Sequence, residues 1–501
     1  MNINLEVNGK YACRRGRRSL AKLEKLSFLK QVMNSFRRLA QSSRNLDIIA
    51  LVVVCALAFS LRFYNYANFP DATFNWDEWA YAWTGRSLIL QNRPIGWSSY
   101  ALEVYEKYGH TLGSTPPPVQ SQLVEPWMDN PWLFALMAGL SSVLGGKCDF
   151  STMRIPSVLM TTACAGLVYL IGKKLYSRET GFLAALFFAV VPAIVIFNRQ
   201  ALGENGIIFF TLIAFYAALK YLDGGKRKWL FTAAIGAGLA SLCKFAGLAS
   251  IVFIAGIFAS EKRWRDMKIV LGLGAALFAI YPLCGAIYGW KTFVAIIFAH
   301  SGRVIYSAAP TTNPVIGSIG QSLEHIFLTT GFHWTTYFTD WWVIFSWLTI
   351  AYVFFEMGHS KQDRWLASGI AFNLLMLVIV TGLVYGWYVI PLYPFFCLAN
   401  GRFMLDMLKK PSLIAACLFV FTIFFSQISW FLPTVITESS YYGRILFLGV
   451  LAPYIAHYVM QQKRTRIACT ITTALLLAAF FAASILMVLD YNRIYSLLTH
   501  Y

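Results

Sequence analysis

Charge is scarce in this chain, and acidic charge scarcest. Of 501 residues only 13% are Asp, Glu, Lys or Arg, with 23 acids against 42 Lys and Arg. Such a composition has too little polar surface to cover a globule in water, which excludes an ordinary soluble enzyme. Metal and redox signatures are also missing. The nine cysteines form no CxxC and no Cys/His cluster and lie mostly inside apolar runs, so they read as small buried apolar residues rather than zinc ligands or a disulfide framework. His300, His325 and His333 lack HxH or HxxxH ligand spacing and so show no metal-site pattern. The first hydrophobic run begins only near residue 48, too late for a cleavable signal peptide. No segment has the length and polarity of a separate soluble domain, and no internal repeat stands out.

What is present is apolar and aromatic: 58% hydrophobic residues and 16% Phe, Trp and Tyr. The chain reads as an all-α integral membrane protein of many spans, several of them short or broken by Pro and Gly. Residues 1–46 carry eleven Lys and Arg, among them Arg14, Arg15, Arg17, Arg18, Arg37 and Arg38, against two acids. This basic arm precedes the first span and points to a cytoplasmic retention signal or contact with anionic membrane lipids. It lacks interleaved aromatics that could stack on bases, so no nucleic-acid partner is expected.

The positive-inside rule then orders the rest. A first span over about 48–66 delivers residues 67–153 to the outer side. The run 131–146, "PWLFALMAGLSSVLGG", is expected to lie at the outer interface as a juxtamembrane helix, its Gly and Ser suited to close helix contact. With that choice five basic loops fall inside: "DGGKRKW", "EKRWRDMK", "HSKQDRW", "MLKKPS" and "QQKRTR". The expected total is about thirteen spans. The domain reading is a basic arm over 1–46, a catalytic membrane module over 47–260 containing the outer loop 67–153, and a C-terminal membrane module over 261–501 with an outer segment at 290–341.

The remaining ionisable residues concentrate in outward-facing segments, where charge at membrane depth marks functional candidates. Foremost is "FNWDEWAYAW", residues 74–83, with the adjacent carboxylates Asp77 and Glu78. An acidic pair beside a hydrophobic span suits a general base for an acceptor hydroxyl or amine whose co-substrate is a lipid held in the bilayer. The plainer reading is that the pair caps a helix beginning there.

The order "WDEWAYA", "DNPWLFALMAGLSSVLGG", "STMRIPSVLM", "NRQALGEN", "SLCKFAGL", "WYVIPLYPFFCLANG" resembles the GT-C membrane glycosyltransferases of the protein O-mannosyltransferase and aminoarabinose transferase superfamily. The likeness is densest over 70–250 and returns at 385–402. It implies a GT-C type multi-span helical bundle whose first outer loop holds the catalytic acid. It also implies a polyprenyl-phosphate sugar donor and a lipid, glycan or protein acceptor. Residue by residue, Asp77 matches the catalytic acid, with Glu78 in support and Glu204 matching the acid of the second outer loop. Arg154 matches a basic position that neutralises donor phosphate, although a snorkelling arginine is the plainer reading. Arg199 could pair with Glu204 or reach phosphate. Lys244 matches a lysine suited to a leaving phosphate. Tyr388 matches a donor-headgroup contact, a buried aromatic being the alternative, and Asn130 and Trp387 are expected to line the pocket. Asn130 stands where relatives carry a lysine or histidine, which shifts phosphate neutralisation to the other cations and makes an aminoarabinose donor doubtful.

The resemblance implies a glycosyltransferase moving a single hexose or pentose, with inversion, on the outer side of a bacterial or archaeal plasma membrane. No cofactor is expected. "NWDEWA" lacks the DxD of oligosaccharyltransferases, which favours metal-independent chemistry, while a divalent ion stays open. A lipid-linked glycan flippase would need charged or broken-helix sites near the bilayer midplane. An O-antigen ligase-like enzyme would prefer a diphosphate donor and a basic outer loop, whereas 290–341 carries Lys291 and Arg303 against Glu324 and Asp340.

Overall fold

The computed structural model describes residues 43–70, 77–98, 102–112, 122–306, 341–356, 360–380, 386–424 and 440–490. The basic arm up to residue 42, His325, His333 and most of the outer segment 290–341 lie outside the described residues, as does the side chain of His300. The chain divides into two compact units, Met1–Val53 and Val54–Tyr501. Of the first unit the described part is the start of the Ser43–Phe63 helix. The second unit holds all the elements that follow.

Among the described residues five helices are long and apolar enough to cross a membrane, or six if the bent pair Arg178–Val190 and Pro192–Arg199 counts as one span. Several other apolar helices run only 10–17 residues. The expected total of about thirteen spans is therefore not reached by length and composition. The run at 131–146 forms the helix Leu133–Leu144 of 12 residues. At 1.5 Å per residue this is about 18 Å, too short for a hydrocarbon core of about 30 Å. Its glycine does pack closely. A Cβ on Gly139 would collide with the Gly85 carbonyl carbon, so the helix Asp77–Gln91 crosses it backbone to backbone.

The described chain is mostly helical, as expected. The segment between the first two long helices also contains a small antiparallel sheet in the order β1-β3-β2: β1 Gly96–Ser98, β2 His110–Thr111 and β3 Gln122–Glu125. Gly96 pairs with Val124 and His110 with Glu125, and Arg93 forms an ion pair with Glu125 at the end of the central strand. Strands of two to four residues are too short for a period-2 pattern to register in sequence.

The break in the bent pair has an identifiable cause. Pro192 has no N–H, so the Phe188 carbonyl loses its partner four residues on, and the axis turns by 61°. The fully buried Arg62 guanidinium replaces it, donating to Phe188 O at 2.8 Å, Ala189 O at 3.2 Å and Asn198 Oδ1 at 2.8 Å. Asn198 in turn donates to Asn205 Oδ1 at 2.8 Å, and Asn205 donates to the Phe197 and Gln200 carbonyls. An arginine near the end of the first long helix thereby fixes the loop "NRQALGEN".

The basic loops gather at one end of the helices. Lys174 pairs with Asp223, Lys361 with Glu261 at 3.8 Å, and Tyr176 donates to Asp363 at 2.8 Å. Arg466 donates to the Lys409 carbonyl at 2.6 Å. The helix Ile155–Leu175 is 21 residues long, about 31 Å at 1.5 Å per residue, and separates that end from the one bearing Arg154.

Candidate active site

At the other end, helix termini converge. Asp77 and Glu78 open the helix Asp77–Gln91, Arg154 precedes Ile155–Leu175, Glu204 is the second residue of Gly203–Gly224, and Lys244 ends Arg227–Cys243. Termini are where backbone groups lack helical partners, so polar side chains collect there at little cost to the bundle.

Glu78 and Arg154 form one unit. Arg154 Nε donates to Glu78 Oε2 at 2.7 Å and Nη2 to Oε1 at 2.6 Å, with both side chains fully buried. Arg154 Nη1 donates to the Tyr66 carbonyl at 2.7 Å, and its guanidinium lies 4.1 Å from the Phe150 ring centroid. Glu78 Oε2 also accepts from the Ala201 amide at 2.7 Å. Glu78 thus links the start of the Asp77–Gln91 helix to Arg154 and to the Ala201 amide, and Arg154 donates to Glu78 and Tyr66.

The second unit is Lys244. Its Nζ donates to Glu204 Oε1 at 2.6 Å, lies 3.8 Å from Asp77 Oδ2, and sits 4.4 Å from the Tyr388 ring centroid. The side chains of Glu204 and Lys244 are 1% and 11% exposed, that of Asp77 35%. Glu204 thus pairs with Lys244, not with Arg199. Arg199 is buried and donates through Nη2 to the Leu61 carbonyl at 2.7 Å, while its Nε has no partner within the protein. Trp387 is buried and Asn130 half-buried.

Three polar groups escaped the sequence reading. Tyr81 lies one helical turn after Asp77 on the same face, an i,i+4 relationship legible in "DEWAY". Its buried hydroxyl, Glu204 Oε2 and Gln200 Oε1 have no partner within the protein. Buried polar atoms are normally paired, so these orphans mark a polar site. The third residue of interest is Asp129, beside Asn130 and 4% exposed. Tyr105 donates to its Oδ1 at 2.7 Å, and Ser98 supplies another hydrogen bond. Burial, reinforced by the charge of Asp77, pushes the Asp129 carboxyl up to about 7 against hydrogen bonds from Ser98, Tyr105 and Trp127. Tyr105 also accepts from the Met128 amide at 3.1 Å, and Tyr281 donates to the Met128 carbonyl at 2.5 Å, so this part of the loop is anchored on both sides. Among the described residues no group of three or more His, Cys, Asp or Glu could hold a metal ion.

Residues 129–285, which contain Arg154, Glu204 and Lys244 but not Asp77, match the family model described as dolichyl-phosphate-mannose-protein mannosyltransferase. No curated protein sequence matches the chain. Among solved structures, ArnT from Cupriavidus metallidurans bound to undecaprenyl phosphate is similar with a TM-score of 0.52 at 11% identity, over 89% of this chain and 78% of that one. The oligosaccharyltransferase from Archaeoglobus fulgidus in the apo form has a TM-score of 0.46 at 12% identity, over 88% and 56%. The Pmt1-Pmt2 complex from S. cerevisiae bound to the sugar donor has a TM-score of 0.34 at 15% identity, over 54% and 37%. The fold is the GT-C fold, as the motif order implied.

Proposed function

We propose that the chain transfers a single hexose or pentose from a polyprenyl-phosphate-linked donor to an acceptor on the extracytoplasmic face of a membrane, with inversion. The observation that carries this reading is the contact of Asp77 with Lys244 at 3.8 Å, in which Asp77 alone of the site carboxylates Asp77, Glu78 and Glu204 keeps a sizeable exposed surface. Asp77 takes the acceptor proton as the acceptor oxygen or nitrogen forms its bond to the anomeric carbon. The bond from that carbon to the phosphate oxygen breaks in line, and the electron pair leaves with the lipid phosphate. Lys244 stabilises the charge that develops there, held by Glu204 on one side and the Tyr388 ring on the other. Support for a lipid-phosphate donor comes from the family model and from the undecaprenyl phosphate of the similar ArnT structure. The gathering of basic loops at the far end supports an outward-facing site and, with the shorter apolar helices counted as spans, a many-span topology.

Purified protein in lipid nanodiscs, given a synthetic prenyl-monophosphate sugar and assayed by mass spectrometry, tests this reading. The Asp77→Asn variant should retain the fold and lose about 10²-fold or more in turnover. Unchanged transfer would remove Asp77 from the mechanism. A flippase would give no transfer, and a ligase would require the diphosphate donor.

A further inference from the structure

A cavity lies at the end of the bundle away from Asp77. It occupies about 760 Å³ and is lined by Lys410, His457, Gln461, Lys463 and Arg466, together with Ser412, Tyr454 and other neighbours. The helix Tyr393–Lys409 leads there from the Tyr388 side of the candidate site, and its 17 residues span about 25 Å at 1.5 Å per residue. None of the eleven residues lining this cavity is acidic, and three are Lys or Arg.

The positive-inside rule explains why this end is basic but not why cations from two separate loops converge on one cavity. Arg466 bridges the two loops by donating to the Lys409 carbonyl at 2.6 Å, and His457 Nδ1 meets Thr465 Oγ1 at 2.9 Å across the turn. Lys463 and Arg466 stand in the first helical turns of Lys463–Leu489, where the backbone dipole disfavours cations, and that first turn contains no acid. Three like charges placed against a helix N-terminus repel one another and the dipole, and an anion would relieve both. Beside the cationic rim stand exposed apolar side chains: Ile414, Tyr458, Val459, Met460 and Ile467. A soluble phosphate would make no use of these, whereas acyl chains would cover them.

We propose that this cavity binds the phosphate headgroup of an anionic glycerophospholipid from the leaflet on the basic-loop side, with its acyl chains against the exposed apolar rim. Basic pockets between membrane helices on the cytoplasmic side recognise such headgroups. The site is independent of the transferase reading and needs no turnover to be observed.

The test is native mass spectrometry of the full chain released from nanodiscs of phosphatidylglycerol and phosphatidylcholine. The wild-type chain should retain phosphatidylglycerol. The triple variant Lys410→Gln, Lys463→Gln, Arg466→Gln should weaken retention by about 10- to 100-fold, while removing three charges from another basic loop by Lys226→Gln, Arg227→Gln, Lys228→Gln should leave it unchanged. Should the first triple variant not fold, the single change Gln461→Glu, which sets a negative charge in the cavity, should displace the lipid by itself. Retention by both the cavity triple variant and Gln461→Glu, or equal loss in the control triple variant, overturns the proposal. Displacement of the lipid by millimolar inorganic phosphate would make this a free-phosphate site and overturn the lipid assignment.

Discussion

Arg154 grips both carboxylate oxygens of Glu78, at 2.6 and 2.7 Å, although the two residues are 76 positions apart and both side chains are fully buried. Removing one partner leaves the other charge buried and unpaired, a loss of about 3–5 kcal/mol. Arg154→Gln and Glu78→Gln should therefore each lower the thermal unfolding temperature, measured in lipid-matched micelles. Replacing both residues with apolar ones of similar volume should restore most of the stability. If Arg154→Gln left the melting temperature unchanged and abolished only donor binding, the arginine would be a phosphate ligand after all.

Asp129 should make stability pH-dependent in an unusual direction for a carboxylate. In the fold its carboxyl holds a proton up to about pH 7, whereas in an unfolded chain it releases one near pH 4. Between those values the folded state binds the extra proton, so stability is greatest at the acidic end and is lost as pH rises through about 7. The groups that set this balance are Ser98, Tyr105 and Trp127, which hydrogen-bond the carboxyl, and Asp77, which repels its charge. The melting temperature of the wild-type chain should fall from pH 5 to pH 8 by more than that of Asp129→Asn. Parallel curves for the two proteins would show that Asp129 titrates normally.

Arg62 replaces a donor that Pro192 cannot provide, and the two residues should therefore be coupled. Arg62→Met leaves the Phe188 and Ala189 carbonyls and Asn198 Oδ1 short of a donor, at about 1–3 kcal/mol for each buried group left unpaired. Adding Pro192→Ala should recover part of the loss, because an alanine N–H can bond Phe188 O and straighten the helix. A double-mutant cycle on unfolding midpoints reads this coupling, and additive losses would refute it.

The sequence made the chain's apolar character, its GT-C resemblance and the positions Asp77, Glu204 and Lys244 legible, because charge in a chain this apolar is conspicuous wherever it stands. Partnership was not legible. Whether Glu204 meets Arg199 or Lys244 depends on the rotation of Gly203–Gly224 against Arg227–Cys243, and the structure chooses Lys244. Arg62 passed unnoticed because an arginine at a span end is an ordinary interfacial feature. Its role exists only through a bend 126 residues away. Asp129 was overlooked beside Asn130, since burial of a loop carboxylate depends on Tyr105 and Ser98 arriving from other parts of the same loop. The three short strands carry too few residues to differ from turns.

Lys244 Nζ lies 3.8 Å from Asp77 Oδ2, and the proposed reaction assigns to it the stabilisation of the leaving phosphate. Lys244→Gln should lower transfer from a prenyl-monophosphate sugar by about 10- to 10³-fold, the span expected when one charge-assisted contact is lost. That change alone is ambiguous, because it also strands Glu204, whose Oε2 already has no partner within the protein, and could act through the fold. The double variant Lys244→Gln, Glu204→Gln removes both charges and should recover the melting temperature, leaving a neutral amide pair in the same space. Its turnover should nevertheless stay low, since no cation then faces the leaving phosphate from this position. Lys244→Arg should keep part of the activity by keeping the charge. Turnover that recovers together with stability in the double variant would show that Lys244 serves only to neutralise Glu204, and the leaving phosphate would have to be stabilised by some other group.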